Sequence, residues 1–157
     1  MGSSEVDPRL QQSQIWRYAA LVLWMTIIFF ASTGKFSAPN TILAIQPFLR
    51  WLFPHISDER IAFFHFLLRK AGHFTEYAIL GLLAVRAFIV SGNPRLRRHW
   101  LLAAFVLVAV YALSDEYHQS FVPSRTASIY DSLIDIAGGM TVLALALWRH
   151  RGVTTKN

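Results

Sequence analysis

Three short blocks of this sequence put ionisable side chains inside or at the ends of apolar runs. Lys70, His73, Glu76 and Tyr77 lie in KAGHFTEYAILGLL, and Asp115, Glu116, His118 and Gln119 follow the apolar stretch ending at Leu113. Asp131 and Asp135 open the last apolar run, so that five of the nine acids in the chain fall in these blocks. Ionisable groups at bilayer depth are costly and face a bundle interior or a water-filled cavity, so they mark a site.

The chemistry open to such a set is broad. His73 or His118 can act as nucleophile or general base, with Asp115 orienting an imidazole and Glu116 as a further catalytic carboxylate. Lys70 and Arg125 can clamp a phosphate, with Tyr77, Gln119 and Asp131 completing a substrate-binding set. A divalent metal such as zinc or manganese is a variant of this reading. His73-x-x-Glu76 and Asp115-x-x-His118 are i, i+3 pairs, and Asp131 and Asp135 add oxygen donors from another helix. Two other classes stay open. One is a non-enzymatic binding or export module with a polar pocket, which at this size requires oligomerisation. The other is a purely structural network in which Lys70 and Arg125 neutralise the acids and fix helix register.

Helical spacing groups these residues. At 100° per residue Lys70, His73 and Tyr77 share one face, and Asp115, His118 and Gln119 share another, with Glu116 pointing elsewhere. Asp131 and Asp135 stack at i, i+4, where like charges repel, so they require a cation, a metal or a proton.

The elements that carry them follow from composition. With 54% hydrophobic and 15% charged residues in 157, the chain is far less charged than the roughly 25% of soluble domains. It reads as one all-α integral membrane four-helix bundle. Spans are expected at about residues 15–31, 71–90, from Trp100 through Gln119, and 128–148, each near the roughly 20 residues a crossing needs. Residues 1–14 form a polar N-terminal segment without the pattern of a cleavable leader, 15–149 the membrane domain and 150–157 a tail. Between the first two spans, 41–53 and 61–68 are apolar but short, the first broken by Pro39, Pro47 and Pro54, and read as interfacial helices, a re-entrant element capping the bundle, or short connectors.

The net charge of +6 does not point to nucleic acid, because no basic stripe with interleaved aromatics exists. The basic residues instead flank apolar runs. Arg9, Arg17, Arg95, Arg97, Arg98, Arg149, Arg151 and Lys156 fall on one side of a four-span bundle, which predicts N-in and C-in topology in a bacterial cytoplasmic membrane. Trp16, Trp51, Trp100 and Trp148 fit an aromatic belt, and Gly138 and Gly139 close helix packing. The absence of cysteine removes disulfides, thiolate metal sites and cysteine nucleophiles. Expected partners are membrane lipids, a lipid-linked or amphiphilic small molecule, and a second copy of the chain.

The blocks KAGHFTEYAILGLL and SDEYHQSFVPSRTASIYDSLIDIAGG resemble the two signature segments of the VanZ-like family of small bacterial membrane proteins. The likeness covers the last three spans. It departs in having Ser124 where a glycine is expected and Asp135 where asparagine is frequent. The resemblance implies a VanZ-like transmembrane domain over 15–149, with links to envelope biology and resistance to glycopeptides such as teicoplanin.

Overall fold

The computed structural model describes residues 8–154, all of whose regular structure is helical. In chain order these are α1 (Pro8–Ala31), a 3-10 turn (Gly34–Phe36), α2 (Ala38–Leu52), α3 (Asp58–Phe88), α4 (Pro94–Arg98), α5 (Trp100–Gln119) and α6 (Ile129–Thr154). Among the described residues three helices contain stretches long and apolar enough to cross a membrane, namely Gln11–Ala31, Trp100–Gln119 and Ile129–Arg151. The chain is a membrane protein in which α3 packs beside these three, most extensively on α6.

Two sequence expectations need correction. The apolar stretch 61–68 is not a separate interfacial helix but the outer part of α3, a single helix of 31 residues. Ser57 caps it by accepting from the Arg60 N–H, Asp58 and Glu59 favour its N-terminus, and no proline interrupts it. The second correction concerns Pro47, which lies inside α2 instead of breaking it. The ring costs one backbone bond, and α2 lies on the surface with Leu43 and Trp51 exposed, where water can satisfy the freed carbonyl. α1 also begins earlier than expected, so part of the N-terminal segment is helical. Residues 1–7, and Lys156 in the tail, lie outside the described residues, and no side chain is described at Arg9.

The helices alternate in direction. At the basic end, Gln14 Nε2 donates to the Val90 carbonyl at 3.0 Å, Arg17 to that of Arg86 at 3.0 Å, and Trp100 stacks near His150 at 6.1 Å. The connections 32–57 and 120–128 therefore share the opposite end. Small residues let the helices approach. A Cβ added at Gly138 would stand 2.1 Å from the Phe74 carbonyl oxygen, and one at Gly139 2.5 Å from Val108. These glycines serve packing, as read from the sequence. Trp16, Trp51 and Trp148 are exposed, whereas Trp100 is buried in the core and leaves the expected aromatic belt.

Candidate functional site

Four counts place the polar groups at one height. Measured from the basic end, Arg17 to Ser32, Trp100 to Asp115, Phe88 to His73 and Trp148 to Asp135 are each 13 to 15 residues, or roughly 20–22 Å of helix. At that level α3 presents Lys70 and His73 towards α6. The Lys70 ammonium donates to Asp131, and His73 Nδ1 lies 3.1 Å from Asp135 Oδ1. The repulsion between the stacked aspartates is thus relieved by a different cationic or hydrogen-bonding partner for each. Lys70 is thus paired with Asp131 within the bundle while remaining about one-quarter exposed.

The acids of α5 split between two sides. Asp115 faces α1, where the Ser32 hydroxyl donates to its Oδ1 and Gln119 Nε2 donates to its Oδ2 at 3.0 Å. It does not orient a histidine; Asp135 fills that role for His73. Glu116 turns the other way and accepts from the Ser128 N–H at 2.7 Å, just before α6 begins. His118, the remaining expected catalytic and metal-binding imidazole, stacks on Phe29 with centroids 4.7 Å apart, on neither polar face. A rotation of 300° between Asp115 and His118 leaves the two 60° apart, enough for different neighbours. Tyr77 is fully buried against Tyr111, and its hydroxyl has no hydrogen-bond partner.

A cavity of about 340 Å³ opens among these elements, lined by Ser32, Thr41, Arg69, His73, Glu76, Asp115, Gln119 and Arg125. A second cavity of about 510 Å³ shares Arg69 and Arg125 and continues along Lys70, Ser124 and Asp131. In the structural reading of the sequence Arg125 neutralises the acids. Its guanidinium instead donates to the carbonyl oxygens of Ala31 and Thr33, satisfying the open C-terminal end of α1, while remaining on the cavity wall. Burial, and then the neighbouring Arg69, pull its pKa below the ordinary arginine value. Arginine nevertheless stays charged in proteins.

Sequence reasoning missed Ser32, Arg69 and the part-buried pair of His65 with Thr41, 2.8 Å apart, which ties α2 to α3. Ser32 carried no signal beyond being a small polar residue after an apolar run. Arg69 had one, since it is adjacent to Lys70 and one helical step turns it towards the cavity.

A family model described as VanZ/LLP1 matches residues 16–150, spanning α1 through most of α6. The chain belongs to the VanZ/LLP1 family. The match extends beyond the last three spans that carry the sequence resemblance and includes α1, the source of Ser32. No curated protein and no solved structure matches this VanZ/LLP1 chain. Membership links it, at the level of the family, to glycopeptide resistance.

Proposed function

We propose that this VanZ/LLP1 protein binds a lipid-linked or amphiphilic envelope compound through an anionic headgroup held in the cavity at the outer end of the bundle. The observation that carries this reading is the pair Arg69 and Arg125. Both line the cavity, and among the described residues neither forms a salt bridge. Two partly buried guanidinium groups short of carboxylate partners are suited to bidentate contacts with a phosphate or carboxylate. The exposed Phe48, Trp51, Phe63 and Phe66 of α2 and outer α3 offer apolar surface for the hydrocarbon part.

In this reading α3 is the fourth span, the basic end is cytoplasmic, and the cavity opens to the outer leaflet. Short connections rich in arginine lie at the basic end, in keeping with that orientation. His73, on the cavity wall and buttressed by Asp135, is the group placed to move a proton if the bound compound is also transformed.

The test is binding of a long-chain polyprenyl phosphate and of the matching uncharged polyprenol to the full chain in detergent. The phosphate should bind and the alcohol should not, with Arg69→Ala and Arg125→Ala each weakening binding at least about tenfold, the loss of one charge-assisted contact. Equal binding of phosphate and alcohol would overturn the reading.

A further inference from the structure

Behind the cavity wall, His73 of α3, Glu116 of α5 and Asp135 of α6 converge. One ligand atom of each lies within 4.8 Å of the other two. The three residues are 8%, 6% and 0% exposed. Asp135 Oδ2 and Glu116 Oε1 are buried and have no hydrogen-bond partner.

Nearby cations do not cancel this charge. Lys70 is engaged by Asp131, and the Arg125 guanidinium is aimed at the Ala31 and Thr33 carbonyls. A protonated His73 offsets one carboxylate. A proton on the other neutralises it, and would satisfy both orphan oxygens only if the two carboxyl groups shared it. Buried charges persist when paired or when they coordinate a metal. A divalent cation meets both demands at once, neutralising two carboxylates and contacting both orphan oxygens.

We propose that His73, Glu116 and Asp135 form a binding site for a divalent first-row metal ion, with zinc or manganese favoured by the mixed nitrogen and oxygen donors. Ligands at metal distances of roughly 2.0–2.2 Å stand about 3–4 Å apart, so side-chain shifts of under about 1 Å complete the site. The 3.1 Å between His73 Nδ1 and Asp135 Oδ1 already falls in that range. His73 also lines the 340 Å³ cavity, which gives the ion a route in. Glu76, Asp115, His118 and Asp131, which the sequence offered as ligands, take no part.

This inference goes beyond headgroup binding and does not depend on it. The test is elemental analysis of the full chain in detergent after equilibration with Zn²⁺ or Mn²⁺ and removal of free ion. About one equivalent should be retained, falling to near zero in Glu116→Gln and Asp135→Asn and unchanged in His118→Gln. Because either carboxylate change can disturb folding, the wild-type protein is also loaded with Co²⁺. Visible absorption bands of cobalt bound by nitrogen and oxygen ligands should then appear. Wild-type protein without stoichiometric metal, or metal kept by both folded carboxylate variants, would overturn the proposal. Phosphate binding by metal-free protein would leave the headgroup reading standing, whereas metal retention without phosphate binding would remove only that reading.

Discussion

Lys70 of α3 donates to Asp131 of α6, one helical turn outward from the contact between His73 and Asp135. The two contacts run in the same order along two parallel helices and fix their register. Asp131 is about one-tenth exposed at its side chain and Lys70 about one-quarter, so the pair is only partly hydrated.

Breaking that pair from one side should therefore cost more than removing it whole. Lys70→Met is expected to lower stability by about 2–3 kcal/mol, with more than half recovered in Lys70→Met/Asp131→Asn. A double-mutant cycle on reversible unfolding in detergent measures this. Additive losses would show that the two groups do not interact.

The α3–α6 contact supplies a second prediction. Gly138→Ala places a methyl group against the Phe74 carbonyl and should destabilise the protein by about 1–3 kcal/mol. Gly72→Ala meets nothing within 4 Å and should be neutral or stabilise the helix by up to about 1 kcal/mol. Unfolding midpoints of the two variants, compared side by side, decide the matter.

Arg125 and Arg97 provide a matched pair of cations. Arg125 contacts two carbonyl groups from half-buried surroundings, while Arg97 has one long contact to the Ser91 carbonyl, 3.4 Å. Arg125→Glu should cost at least about 2 kcal/mol, since it removes those donors and adds a charge near Glu76 and Asp115. Arg97→Glu should cost less than about 0.5 kcal/mol, as surface substitutions usually do. Yields of folded protein and thermal midpoints report both.

Orientation is open to a direct test because the chain has no cysteine. Cysteine placed at Ser124 should react with a membrane-impermeant maleimide in intact cells. Cysteine at Arg97 should react only after the membrane is opened. The reverse pattern would invert the topology.

Much of this arrangement is legible in the residues themselves. The spacing of Lys70, His73 and Tyr77 predicts one face of one helix, and the i, i+4 aspartates predict a need for compensation. Both expectations match the contacts found. Periodicity gives the angle of a side chain about its own axis, but not which neighbour stands opposite. For that reason the sequence matches Asp115 with a histidine, when Ser32 and Gln119 are its partners, and offers Glu116 as a catalytic carboxylate but not as a ligand beside His73 and Asp135. The apolar stretch 61–68 misled by its length, because continuity with the following helix depends on the absence of proline across Asp58–Phe88, Gly72 notwithstanding, and not on hydrophobicity.

The unbroken course of α3 has a mechanical consequence. The helix runs for about 46 Å, against a hydrocarbon thickness of about 30 Å, and carries α2 near one extremity through the His65–Thr41 contact. A rod without a joint behaves as a lever. Lateral force on the α2 edge, where Trp51 protrudes, would be passed along α3 towards Lys70 and His73 and so load their contacts with α6.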